Sequence, residues 1–275
     1  MPSQTTTPPT RAGEEPVIPA CSSLGNLLPT CRLITALLAA VLVGLIGLAV
    51  QARAETDVDL RLVLAVDASG SVSPARFELQ RSGYAMAFRH PRVLKAIQSG
   101  PHRSIAVTMV QWTGPAVQYQ VVPWMQIYDQ TSMLALADAI DATPRQLRSG
   151  GTSISGAIDK GVDLLATSPY SADRSVIDIS GDGRNNRGRS VEEARDDAIA
   201  AGIVINGLPI LALDKQLDDY YLRQVIGGPN AFIVPARNFT EFADAILKKL
   251  IIEIASRPAE GVKLATAAEE VCTRC

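Results

Sequence analysis

The sequence predicts an α/β domain. From Leu60 onward short apolar runs alternate with amphipathic stretches, Leu62–Val66 is continuously apolar and stops abruptly at Asp67, and Val117, Tyr119 and Val121 alternate with Gln118 and Gln120. The first pattern is that of a parallel sheet covered by helices. The second is that of a central strand buried on both sides, and the third that of a half-exposed antiparallel edge strand. Together they predict a doubly wound, Rossmann-like sheet of six strands, mainly parallel with one antiparallel edge strand, and helices on both faces.

Each element has its own local reason. After the first strand, Ser73 before Pro74 is an N-cap followed by the residue best suited to a first helical position. Phe77, Tyr84, Ala85 and Phe88 then share one face, so a helix runs from Pro74 to about Arg89 and Pro91 ends it. Ile105–Trp112 reads as the second strand, and Thr113-Gly114-Pro115 turns it into the alternating edge strand. Helices follow over Thr131–Ala142 and, past the Gly150-Gly151 breaker, over Ser155–Ala166. Val176–Ile179 is a strand ending near Gly181-Asp182-Gly183. Ser190–Ala201 is a helix, Ile203–Leu208 a strand, Gln216–Ile226 a helix and Phe232–Val234 a short sixth strand. A closing helix sets Phe242, Ile246, Leu250 and Ile254 on one stripe with Lys248 and Lys249 off it, as a surface helix packed on the sheet does.

The bulk properties limit what surrounds this domain. A chain of 275 residues can bury one sizeable core, and a formal net charge of -2 offers no basic field for nucleic acid. Residues 1–32 hold a Thr- and Pro-rich stretch, Thr5–Pro19, that lacks apolar periodicity and is expected to be disordered. In 33–54 an uncharged run, Leu33–Val50, follows Arg32 and precedes Ala52-Arg53-Ala54. This fits a signal peptide cleaved after Ala54, and its length also fits an uncleaved membrane anchor; the first fate is favoured, and either exports the domain to the periplasm or the exterior. The domain is expected over 57–257 and a C-terminal tail over 258–275. In that tail Cys272 and Cys275 could close a small disulfide, whereas two thiols alone make a poor metal site.

Chemistry concentrates in three polar loops. In open α/β sheets ligands bind outside the carboxyl ends of strands, where the winding reverses. Asp67-Ala68-Ser69-Gly70-Ser71 follows the first strand, Gly150-Gly151-Thr152-Ser153 precedes a helix, and Gly181-Asp182-Gly183 follows the strand ending near Ile179. Alternation puts Asp67, Ser69 and Ser71 on one side of an extended loop, with Gly70 permitting a sharp turn. The other glycines permit close backbone approach beside Thr152 and Asp182. Oxygen-only ligands select a hard cation, Mg²⁺ or Mn²⁺ ahead of Ca²⁺.

D-A-S-G-S, G-G-T-S-I and S-G-D-G together resemble the metal-ion-dependent adhesion site of von Willebrand factor A domains, over roughly Val58 to Ser256. The resemblance implies that Ser69, Ser71 and Thr152 ligate the metal directly, and that Asp67 and Asp182 act through water or switch to direct ligation. It implies further that a protein partner's carboxylate takes the remaining position. Hydroxyl ligands leave the cation poorly neutralised, which suits it to an anionic ligand from outside. Within the superfamily, Ile177–Gly188, I-D-I-S-G-D-G-R-N-N-R-G, resembles an uncharacterised bacterial exported subgroup, a likeness that supplies no ligand.

Other conspicuous residues have plainer explanations. Arg184, Arg187 and Arg189 could line a ligand's approach, yet charged loops usually just face water. Asn185 and Asn186 suit a turn, His90 and His102 a helix end and a loop, and Trp112 and Trp124 packing at the sheet edge. Asn238-Phe239-Thr240 matches a glycosylation acceptor but reads better as the cap of the last helix. The functional expectation is therefore an exported, non-enzymatic, metal-dependent protein-binding module. The rivals are an Mg²⁺-dependent hydrolase or phosphatase using Asp67, disfavoured because the second acid such enzymes usually place two residues on is here Ser69, and a cell-envelope assembly factor. A dinucleotide-binding domain is disfavoured by the single glycine in the first loop.

Overall fold

A computed structural model of the chain describes residues 55–146 and 149–256. The expectations for residues 1–32, the 33–54 export segment, the 258–275 tail and all four cysteines lie outside the described residues. Among the described residues no helix is long and apolar enough to cross a membrane.

The elements run β1 (Thr56–Asp57), β2 (Leu60–Asp67), α1 (Pro74–Arg89), α2 (Pro91–Ile97), β3 (Ile105–Trp112), β4 (Gln118–Ile127), α3 (Gln130–Asp141), α4 (Ile154–Ala166), β5 (Tyr170–Ser171), β6 (Ser175–Gly181), α5 (Val191–Ala200), β7 (Ile203–Pro209), α6 (Leu217–Tyr220) and α7 (Phe242–Ala255). A five-stranded sheet has the order β4-β3-β2-β6-β7, parallel except for the antiparallel β3–β4 pair, and β1 pairs with β5 apart from it. The chain winds outward from β2 through β3 to β4, then crosses back to β6 and β7. The switch point therefore lies between β2 and β6, as a doubly wound sheet requires.

Strand alternation divides the core into two layers. Leu60, Leu62, Leu64 and Val66 of β2 face α1, α2, α3 and α7, while Val63 and Ala65 face α4 and α5. The edge strand β4 carries Pro123, tolerable where one side of the backbone is unpaired. Ser73 Oγ accepts from the Arg76 N–H to cap α1, and Asp129 with Ser132 forms a reciprocal capping box on α3.

Five details differ from the sequence expectation. The sixth strand, expected at Phe232–Val234, makes one isolated bridge to β7, Gly207 to Ile233, in place of a ladder, and a further bridge, Ile210 to Ala236, lies past the ends of both segments. The first helix ends at Arg89 ahead of Pro91, as expected, but Pro91 also begins a second helix that was not expected, with His90 as its cap. The helix expected over Gln216–Ile226 divides into α6 and a π turn, Tyr221–Val225. Lys249, expected on the outer face of the closing helix, is fully buried against Asp178 of β6. Trp112 likewise lies deep in the core, whereas Trp124 does sit at the edge, its ring against that of Tyr170.

Candidate metal centre

The carboxyl end of β2 delivers Asp67 at the last strand position, where the apolar run gives out. Asp67 Oδ1 accepts the Ser69 N–H at 2.7 Å, and the Gln80 amide from α1 donates to the Asp67 carbonyl at 3.1 Å. The chain then turns, closed by the Val72 N–H to the Ser69 carbonyl at 3.1 Å. That turn brings Ser69 Oγ and Ser71 Oγ within 3.1 Å of each other. Gly70 does not have a positive φ, so the turn does not demand glycine there.

Asp182 arrives one residue past β6. Ser71 Oγ donates to Asp182 Oδ1 at 2.5 Å, and the Asp182 N–H points at Asp67 Oδ2 from 3.4 Å. Gly181 is what allows this approach, since a Cβ there would stand 3.1 Å from Asp67 Oδ2, 3.1 Å from the Tyr221 hydroxyl and 3.2 Å from the Trp112 ring. Asp67, Ser69, Ser71 and Asp182 thus form one contiguous polar cluster at the switch point.

Thr152 reaches the cluster through the Asp182 loop. Its carbonyl accepts from the Asn186 and Arg187 N–H groups at 2.9 and 3.2 Å, and its own N–H donates to Asn186 Oδ1 at 3.0 Å. Next to it, the Ser155 N–H donates to Asn185 Oδ1 at 3.2 Å. Gly150 and Gly151, at φ +133° and +82°, make the bend that sets Thr152 down beside Gly183. Ser149 is tied to the Thr113 hydroxyl at the end of β3 at 2.7 Å, so three strands fix the three loops. The asparagines, expected as turn residues, are cross-braces between two loops, a role that no pattern local to Asp182 announces.

The electrostatics are lopsided. Asp67 is wholly buried, and burial raises its carboxyl to about 7, with the Asp182 charge adding to the rise and the Ser69 N–H opposing it. Burial also raises Asp182, against the pull of Ser71 and Arg76. Among the described residues Asp182 Oδ2 is buried without a hydrogen bond, and its ion-pair partner, Arg76 Nη1, stands 3.8 Å away on a partly exposed side chain. A half-compensated pair of buried acids ringed by hydroxyl oxygens is a donor set that suits a small hard cation. Among the described residues no group of three or more His, Cys, Asp or Glu could hold a metal, so a centre of this kind depends on the hydroxyls. His90 caps α2 and His102 precedes the amino end of β3, both away from these loops.

Several solved structures share this fold. Proximal thread matrix protein 1 from the mussel byssus is 15% identical over 73% of this chain and 49% of its own, with a TM-score of 0.51. The pilus adhesin SpaC from Lactobacillus rhamnosus GG is 14% identical over 72% of this chain and 30% of its own, TM-score 0.51. A von Willebrand factor type A protein from Catenulispora acidiphila is 16% identical over 72% of this chain and 43% of its own, TM-score 0.49. The chain therefore spans less than half the length of each of these proteins. Identities this low speak for the fold alone, which this chain shares with the mussel matrix protein and the pilus adhesin. Among curated proteins none matches. The family model described as "Protein of unknown function (DUF1194)" matches residues 57–258, and the chain belongs to that family.

Proposed function

We propose that residues 57–257 form an exported binding module in which Asp67, Ser69, Ser71, Thr152 and Asp182 hold Mg²⁺ or Mn²⁺ and a carboxylate on a protein partner completes the ion's coordination. The observation that carries this reading is the contiguous chain Ser69 Oγ, Ser71 Oγ, Asp182 Oδ1, set beside the buried Asp67 at the switch point of the sheet. A bound divalent ion would supply the positive charge that two buried acids lack and a Lewis-acid position for an anion. The chain's own contribution is to converge the oxygens and hold them by Gln80, Asn185 and Asn186. The mussel protein has also been solved with zinc in its metal-ion-dependent adhesion site motif, a property of that protein. Export rests on the apolar run Leu33–Val50.

Binding is favoured over hydrolysis because a hydrolase needs a general base within reach of the metal-bound nucleophile. The position two residues past Asp67 is a serine that already hydrogen-bonds Ser71, and His90 and His102 lie away from the loops. The experiment is a thermal melt of the purified chain in EDTA and in Mg²⁺. At a concentration a hundredfold above Kd the ion stabilises the folded state by about 2.7 kcal/mol. For a domain of this size that is a rise of roughly 5–10 °C, and Asp67→Ala abolishes it. Identical melting in EDTA and Mg²⁺ sinks the reading.

A further inference from the structure

The loop after Asp182 carries three arginines with three different fates. Arg184 Nε pairs with Asp214 Oδ2 at 2.7 Å and its guanidinium lies over the Tyr220 ring at 5.2 Å. Arg189 forks between Asp159 and Asp197, both at 2.6 Å. Arg187 is exposed, and among the described residues its guanidinium has no ion pair and no hydrogen bond.

Its base, by contrast, is fixed to the candidate metal centre. The Arg187 N–H donates to the Thr152 carbonyl at 3.2 Å, and the side-chain stem lies across Gly151, where a Cβ would stand 2.7 Å from Arg187 Cγ. Gly151, at φ +82°, thus serves two purposes: it bends the chain ahead of Thr152 and makes room for the arginine. The other neighbouring cations are already engaged, Arg76 with Asp182, with the Ser71 carbonyl at 3.1 Å and with the Phe239 ring at 5.1 Å, and Arg145 with the Ala68 and Ser69 carbonyls at 3.0 and 2.9 Å. One planar fork of donors with a fixed stem is therefore left at the rim of the site, and such a fork matches a carboxylate in two parallel hydrogen bonds.

We propose that Arg187 is a second anchor for the partner, so that the domain takes an acidic peptide segment presenting two carboxylates, one at the metal and one at the Arg187 guanidinium. This rests on the metal-dependent reading above. The metal fixes where the segment binds, and the arginine discriminates between segments with one acid and with two.

The test uses the full chain in saturating Mg²⁺ and two sets of glycine-serine peptides, one set with a single aspartate and the other with a second acid at several spacings, titrated by NMR so that weak affinities are read. At the best spacing the two-acid peptide binds about tenfold more tightly than the one-acid peptide, the size of one charge-assisted contact. Arg187→Ala removes that advantage and leaves Mg²⁺ affinity and the one-acid peptide unchanged; Arg187→Lys, which keeps the charge and loses the fork, retains part of it. An advantage that survives in Arg187→Ala, or is missing from the unaltered protein while the one-acid peptide still needs Mg²⁺, overturns the two-acid proposal alone. Failure of the protein to bind Mg²⁺, or peptide binding indifferent to it, overturns the metal reading and this proposal with it.

Discussion

Strand β6 bears two buried acids, Asp178 in its middle and Asp182 just past its end, and their surroundings differ in kind. Asp178 faces a cation that the fold supplies: Lys249 Nζ of α7 lies 2.8 Å from Asp178 Oδ1 and 2.9 Å from Glu253 Oε2, and the Asn206 amide holds Glu253 Oε1 at 2.8 Å. Asp182 faces hydroxyls, with Ser71 at 2.5 Å and Arg76 only at 3.8 Å. Hydroxyls satisfy lone pairs but cancel no charge. The mid-sheet cluster is closed by its own ammonium, while the cluster at the strand ends is arranged around a charge that must come from outside.

Removing the internal cation should show the largest effect. Lys249→Met leaves Asp178 and Glu253 buried together without their ammonium, at a cost of about 3–5 kcal/mol, read as a lower urea midpoint; a loss under 1 kcal/mol would mean that the acids already share a proton and need no lysine. The cluster also carries a pH signature. Burial raises Asp178 to about 7 against the pull of Lys249, while for Lys249 the two acids outweigh burial and raise the ammonium. A carboxyl whose folded pKa lies above its unfolded value of 3.8 contributes stability that is present below 3.8 and lost as pH climbs through about 7. The melting temperature of the unaltered chain, measured relative to Asp178→Asn, should therefore fall between pH 5 and pH 8 by this linkage. A rise would show Asp178 to be ionised throughout, with the lysine dominating.

The strand-end cluster should respond in the opposite direction. Asp67→Asn removes a charge that burial disfavours, so in EDTA the variant should be more stable, by on the order of 1–2 kcal/mol. The gain is smaller than the full charge cost because the new amide Nδ2 faces the Asp182 N–H that Oδ2 now accepts. In Mg²⁺ the order reverses, because the unaltered protein gains the ion and the variant does not. A variant less stable in both buffers would place Asp67 with Asp178, as a structural acid.

The same contrast separates what the sequence disclosed from what it did not. Leu62–Val66, Ser73-Pro74 and the three polar loops are local patterns, and each produced the predicted strand, cap or loop. His90-Pro91 is also a cap followed by a first-turn proline, like Ser73-Pro74, and reading the proline as a stop alone, which it is for α1, hid α2. Lys249 was assigned to the surface because it lies off the apolar stripe of α7, yet a polar residue off the stripe can still be buried when a second layer supplies its counter-ion. The clue was Asp178, a charge inside the otherwise apolar Val176–Ile179. Tyr221, whose buried hydroxyl lies near Asp67 with no hydrogen-bond partner among the described residues, and the braces from Asn185 and Asn186 depend on tertiary neighbours that one chain's periodicity does not encode.

Those braces yield the smallest and most local prediction. Asn186 Oδ1 holds the Thr152 N–H at 3.0 Å while the Thr152 carbonyl takes the Asn186 N–H at 2.9 Å, so the two loops are joined by a reciprocal pair of hydrogen bonds. Asn186→Ala removes one of the pair and leaves the backbone half in place. One hydrogen bond of this kind contributes about 1 kcal/mol. The loss should appear mainly as a roughly fivefold weaker Mg²⁺ affinity, because the freed Thr152 samples positions away from Ser69, Ser71 and Asp182. Melting in EDTA should scarcely move, since Asn186 is exposed and touches neither layer of the core. Equal losses with and without Mg²⁺ would instead assign Asn186 to holding the loops together and detach Thr152 from the ion.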